Sequence, residues 1–483
     1  MNKLHFIFLF LLAGLFACEK GDLLDNLAPE SKISVTEMNV TGQDRLNSII
    51  TLHWSGEDKD GYVKSYELSF DQTNWFSTTK QDSTFRFSIN SGSDTTDISF
   101  YVRAIDDKGT KDASPAFLKI PIRNTAPKIA FDTQSPIPDT VYSVLTTLWN
   151  SSDLDGNETL DSVFIKANAG KWYALPQNIS FLTLVPENPK NIGVQNAKVY
   201  KNSVAELLSA RIEGLNVGAV NQLYLKVKDK AGSFSQVDSS INFYLMPQTA
   251  DVLVVDEYNL TGTPTPEEIY NAIFTNLGIT HDIYKMSGNA PKFWEPTFSL
   301  YLSLYDKVFW YSDGIEQQDF ANQLYLELAA TALQKYLNQG GKMLISARFP
   351  ARFNTKATAY ESAIFSYSPF DSLSTSAGQA RIPTDSSVLP VNMAAATYPT
   401  LKPSVFLTGV DPFYAKNPSQ NMYHAQIQGT GGWVGPRSII GSTLFSNGKI
   451  NQVFVSVELH KLNGDAAALQ SFFNKVLNEE FNW

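Results

Sequence analysis

Apolar and polar residues alternate along the first half of the chain. Ile50-Leu52-Trp54, Tyr66-Leu68-Phe70 and Phe100-Val102-Ala104 put apolar side chains on one face of an extended strand at period two. Asp-Gly and Lys-Gly pairs separate these runs, and such pairs supply the positive φ of tight hairpins. The prediction is an antiparallel β-sandwich. From Ala250 the pattern changes. Asp251-Val252-Leu253-Val254-Val255-Asp256 is nearly continuous in apolar residues, as expected of a strand covered on both faces. Thr265-Pro266-Glu267-Glu268 combines an N-cap, an N1 proline and first-turn acids, and Gly278 closes the helix it starts. Further strands are predicted over 280–284, 307–311, 342–346 and 452–459, and helices over 318–338 and 465–478. Alternating strands and helices predict a doubly wound α/β domain.

The β half repeats itself. Trp54-Ser55-Gly56-Glu57-Asp58-Lys59-Asp60-Gly61 matches Trp149-Asn150-Ser151-Ser152-Asp153-Leu154-Asp155-Gly156, and Asn74-Trp75-Phe76 matches Lys171-Trp172-Tyr173. Tyr101 to Gly109 then answers Tyr224 to Gly232, so the second copy carries an insertion of about 26 residues before its last strand. These copies resemble tandem immunoglobulin-like or fibronectin type III modules over residues 31–123 and 124–247. Asn124-Thr125-Ala126-Pro127 is the expected junction, because Pro127 cannot donate to a ladder. Trp54 and Trp149 are the expected core tryptophans.

The segments VLVVDEYN (252–259), YDKVFWYSDG (305–314) and LQKYLNQGGKMLIS (333–346) resemble the class I glutamine amidotransferase-like superfamily, which has a flavodoxin-like fold. The resemblance implies such a domain over 248–483. Enzymes of that superfamily carry a cysteine on the turn after the strand that here covers 342–346. This chain has Ala347-Arg348-Phe349 at that place, so the resemblance implies a relative without the nucleophile.

Residues 4–18, LHFIFLFLLAGLFAC, follow Lys3 and end in the chain's one cysteine. They resemble a bacterial lipoprotein signal, which implies removal of residues 1–17, a lipid on Cys18 and an acidic tether over 18–30. The tether and the composition resemble surface lipoproteins of the Bacteroidetes. The implied location is the cell envelope, lipid-anchored at the outer membrane and exposed at the surface, with the membrane as one partner. A single cysteine, assigned to lipid, excludes a disulfide framework and cysteine-ligated zinc. The net charge of −10 argues against nucleic acid as a partner.

Candidate chemistry is sparse. Asp153, Asp155, Asn157 and Asp161 offer oxygen ligands for calcium, the one cofactor considered, but Gly156 and the missing glutamate depart from an EF-hand loop. An Asx-type turn is the alternative. At the strand ends, where ligands of open α/β sheets bind, Asp256, Ser346 and His460 can be drawn as a relay, although no Gly-x-Ser-x-Gly elbow exists. Asp313, Arg348 and Trp433 are the candidate ligand contacts, Trp433 from the glycine-rich loop 429–437, and the long segment 350–402 is a candidate cover for the crevice. The expected function is a noncatalytic binding or scaffold lipoprotein with a glycan or protein ligand. The alternative is a hydrolase acting on an envelope or extracellular polymer.

Overall fold

The computed structural model describes residues 25–35, 40–41, 45–46, 48–87, 89, 93–260, 262–350, 362–374 and 376–483. The expected signal sequence, Cys18 and most of the expected tether lie outside the described residues. No described helix is long and apolar enough to cross a membrane. The chain forms two compact units. One runs to Ile129 and also includes Ser151–Ser162 and Lys226–Gln236; the other comprises Ala130–Asn150, Val163–Leu225 and Val237–Trp483.

In the first unit, strands Glu30–Val35, Ile49–Glu57 and Asp82–Arg86 form an antiparallel sheet. Phe76–Thr78, Val63–Ser69, Thr95–Asp106 and Ala116–Arg123 form a second, extended at one edge by two short strands. The period-two pattern determines which side chains face inward: Ile50, Leu52 and Trp54 of one sheet meet Leu68, Phe100 and Val102 of the other in a single core. The second copy of the repeat has the same strands, including Leu145–Ser152, Leu160–Ala167 and Leu223–Asp229. Its inserted residues form the long hairpin of Gly193–Lys201 and Glu206–Val217. Trp54 and Trp149 are both buried, at 3% and 2% exposure.

The C-terminal part of the second unit is built on a ten-stranded sheet. His281–Lys285, Val252–Glu257, Lys307–Ser312, Lys342–Ala347 and Ile450–Val455 pair in parallel, in that spatial order. Successive residues of one strand enter different cores: Leu253 and Val255 on one face, Val254 on the other. Helix Pro266–Leu277 starts with the expected capping box of Thr265 and Glu268, and Gly278 ends it in the left-handed region.

The expectation of a doubly wound, flavodoxin-like α/β domain is nevertheless overturned. Strand accounts for 44% of the structure and helix for 16%. Among the described residues the α-helices are short, the longest having 12 residues. Ser438–Leu444 joins the parallel strands antiparallel, and Phe413–Ala415 and Phe370–Leu373 continue the sheet in the same sense. A further antiparallel sheet forms from Gln379–Ile382, Leu407–Val410 and Gln428–Thr430. Ser438–Leu444 reads as a strand in the sequence, whereas the others have only three or four residues, too few for a period to be read. The helix expected over 318–338 is also shorter: its regular part is Tyr325–Leu328 and Ala330–Asn338.

Candidate functional site

The three relay candidates stand at the strand ends, but none bonds another directly: Ser346 and His460 meet only on the Tyr270 hydroxyl, and Asp256 bonds Tyr258 and Tyr311. The Ser346 hydroxyl donates to the Val457 carbonyl at 3.0 Å and accepts from the Leu459 amide at 2.8 Å. It therefore holds the turn that leaves strand Ile450–Val455. The His460 amide donates to the Tyr270 hydroxyl at 2.9 Å, with the imidazole Nδ1 3.4 Å from the same oxygen. Burial pushes the imidazole down to about 4, so it is neutral at pH 7. Asp256 accepts from the Tyr258 amide at 3.1 Å and from the Tyr311 hydroxyl, and burial holds its carboxyl above the ordinary range. No hydrogen bond joins any two of the three among the described residues.

The neighbouring acids are similarly committed. Asp313 accepts from the amides of Asn259, Leu260 and Ile315, which organises two turns. Glu458 takes the Tyr258 hydroxyl at 3.1 Å and Lys461 at 2.6 Å. Glu257 is buried against the Trp310 indole N–H at 2.7 Å, and burial pushes its carboxyl up to about 8, so it is mainly protonated at neutral pH.

Arg348 and Trp433, far apart in sequence, come together in a pocket of about 110 Å³. Arg348 and Phe349 follow strand Lys342–Ala347, Gly409 to Asp411 end strand Leu407–Val410, and Trp433 comes from the glycine-rich loop. That loop is pinned. Ser374 donates to the Val434 carbonyl at 2.9 Å, and the Val434 amide donates to Ser376 at 2.9 Å. Gly378, at φ +89°, is required for the approach: a Cβ there would lie 1.8 Å from the Thr430 carbonyl. The half-buried indole lies against Gly435, where a Cβ would come within 2.7 Å of it.

Asp411 is the residue that sequence reasoning missed. It is 6% exposed, and burial pushes its carboxyl up to about 7 against the opposing pull of the Arg348 guanidinium and the Phe349 amide. Its only sequence signal is its position at the end of a four-residue strand. Asp313, expected beside Arg348 and Trp433, does not line this pocket.

The calcium candidates lie in the first unit. Asp153 accepts from the Asp155 amide at 2.9 Å and the Thr159 hydroxyl at 2.8 Å, and Asn157 accepts from the Asp153 amide at 3.1 Å. Asp155 accepts from the Thr125 amide at 2.7 Å and from the Ser48 hydroxyl. Asp161 accepts from Ser162 at 3.0 Å. Among the described residues no group of three or more acids, histidines or cysteines is arranged to hold a metal ion.

These contacts belong to a clamp that occurs twice. Asn124 donates to Asp229 at 2.6 Å and to Ser233 at 3.1 Å, while Thr125 donates to Asp155. In the first copy Asn26 donates to Asp106 at 2.6 Å and to Thr110 at 2.7 Å, while Leu27 donates to Asp60 at 3.2 Å. Both linkers read Asn-x-Ala-Pro, at 26–29 and 124–127. Each Asp-x-Asp-Gly turn thus presents its second aspartate to the linker that enters its own copy.

No protein-family profile and no curated protein matches the chain in sequence. Solved structures that it resembles include the fibronectin(III)-like modules of Clostridium thermocellum CbhA, at 11% identity over 44% of this chain and 94% of that one, with a TM-score of 0.18. Another is a tetra-tandem repeat from the extending region of a large adhesion protein, at 12% identity over 45% and 49%, with a TM-score of 0.20. A third is Bacteroides ovatus SGBP-B of a mixed-linkage glucan utilization locus, solved with a mixed-linkage heptasaccharide, at 7% identity over 50% and 77%, with a TM-score of 0.14. Scores of this size carry no functional argument.

Proposed function

We propose that the protein is an envelope lipoprotein, anchored through Cys18, whose C-terminal part, which follows the β-sandwich modules, carries a noncatalytic binding site at Arg348, Asp411 and Trp433. One observation carries this reading: a guanidinium, a buried carboxyl and an indole converge on one pocket, while Ser346 and His460 meet only through the Tyr270 hydroxyl and Asp256 bonds Tyr258 and Tyr311. A nucleophile without its base has no means of shedding its proton. A fork of donors beside a carboxyl and an aromatic surface suits a polyhydroxylated ring, so the ligand proposed is a glycan.

The test is calorimetric titration of the mature protein with a panel of oligosaccharides. Arg348→Ala and Trp433→Ala should each weaken binding about tenfold or more, the loss expected for a charged hydrogen bond or a stacked aromatic. Ser346→Ala should leave it unchanged. Turnover of an ester, amide or glycoside that disappears in Ser346→Ala or His460→Ala would overturn the reading in favour of a hydrolase. The anchor is tested separately by Cys18→Ala, which should move the protein from the membrane to the soluble fraction of its host.

A further inference from the structure

A second cavity, of about 230 Å³, has the opposite chemistry and shares no residue with the first. It lies in the second unit, where Val144 and Tyr142 meet Tyr284, Phe293, Phe298 and Tyr301. The rings form a continuous wall: Tyr142 stands 4.5 Å from Tyr284 and 6.0 Å from Tyr301, centroid to centroid, and Tyr284 is 5.6 Å from Phe298. Val144, Tyr284, Phe298 and Tyr301 also belong to one of the two cores of the C-terminal sheet, so this wall is held in place by packing.

The polar groups around it are almost all satisfied. Tyr284 donates to the Asn289 carbonyl at 2.7 Å, Tyr301 bonds Tyr305 at 2.9 Å, and Thr146 bonds both Thr183 and Thr297. Of the nearby cations, Lys285 pairs with Glu267 at 2.8 Å, and Lys292 is exposed. The Tyr142 hydroxyl alone among these tyrosines makes no hydrogen bond to a described residue, although its ring is half-buried.

We propose that this cavity is a second ligand site, for a small uncharged aromatic molecule bearing one hydrogen-bonding group. The walls offer ring edges and faces, no carboxylate among the described residues lines the cavity and its one charged lining residue, Lys292, is exposed to water, and the Tyr142 hydroxyl supplies one polar contact. The volume exceeds the roughly 150 Å³ of a dry apolar cavity that takes benzene, so a two-ring molecule such as indole is the right scale.

The probe is indole, added to the purified protein and followed by ligand-observed NMR and by thermal shift. Saturable binding is expected, and Tyr142→Ala should weaken it about tenfold, as loss of an aromatic wall predicts. Tyr142→Phe keeps the ring and removes only the hydroxyl. It should weaken indole several-fold and leave toluene, which cannot hydrogen-bond, unchanged. Arg348→Ala and Trp433→Ala should have no effect on indole, which separates this site from the glycan pocket. Absence of saturable indole binding, or binding that Tyr142→Ala leaves intact, would overturn the proposal.

Discussion

The two copies of the repeat use one clamp in two environments. In the second copy Asp155 is fully buried and takes both the Thr125 amide and the Ser48 hydroxyl of the preceding sandwich. In the first, Asp60 takes the Leu27 amide at longer range and also faces Lys108 at 3.4 Å in an exposed position. A hydrogen bond to a charged acceptor is worth more where water cannot replace it. The same four-residue linker is therefore held by a buried acid in one place and by an exposed one in the other.

The tryptophans are the most damaging place to break this comparison. Trp54→Ala and Trp149→Ala should each cost about 3–5 kcal/mol, the range for deleting a buried large side chain. Replacement by Phe separates them. Trp54 donates to the Lys80 carbonyl at 2.8 Å, whereas the buried Trp149 indole N–H has no hydrogen-bond partner among the described residues. Trp54→Phe orphans a carbonyl and should lower the unfolding midpoint more than Trp149→Phe. Equal losses in urea unfolding would contradict the assigned hydrogen bonds.

The clamp acids come next. Asp155→Ala leaves the Thr125 amide and the Ser48 hydroxyl without their acceptor and should cost about 2 kcal/mol, the penalty for orphaned buried groups. Asp60→Ala should cost much less, since water reaches its site. Hydrogen exchange at Thr125 and Leu27 reads the two directly, and equal acceleration at both amides would show that burial does not distinguish the copies.

The smallest effect is in acid. The Asn26 amide at Asp106, aided by the amides of Thr110, Lys108 and Gly109, holds that carboxyl below its ordinary range despite burial. Burial holds the Asp153 carboxyl above its own. Between its folded value and the unfolded value of about 3.9, Asp106 binds fewer protons folded than unfolded, so its contribution is present above that window and lost as pH falls through it. Asp153 has the reverse sign: just above the unfolded value it binds more protons folded, so stability falls as pH rises through its raised value. In an NMR titration Asp153 should take up its proton at higher pH than Asp106. A shared midpoint at the ordinary value would rule out both environments.

Much of this architecture is legible locally. The period-two runs mark the sandwich strands, the tryptophan and Asp-x-Asp-Gly matches reveal the repeat, and Thr265 to Gly278 carries its helix signals at both ends, because each depends on residues within a few positions of one another. Asn124 to Pro127 is legible as a junction, but its Asn-x-Ala-Pro match with Asn26 to Pro29 is not, for a different reason. It is short and common in composition, and only its partners, some eighty to a hundred residues later, distinguish it from any other linker.

The sequence by itself determined the strand faces, the repeated core and the capped helix, since side-chain period and capping are properties of a short stretch of chain. Tertiary structure decided the rest. The antiparallel strands Phe370–Leu373, Gln379–Ile382 and Leu407–Val410 exist because they have neighbours to pair with, and fragments of four residues have too little periodicity to announce themselves. Arg348, Asp411 and Trp433 meet only after those strands are placed, as do Tyr142 and Tyr284. Ser346 and His460 lie at the strand ends where the pattern puts them, but their hydrogen bonds to Val457 and Tyr270 are long-range contacts. A pocket is a relation among distant residues, and no local period encodes it.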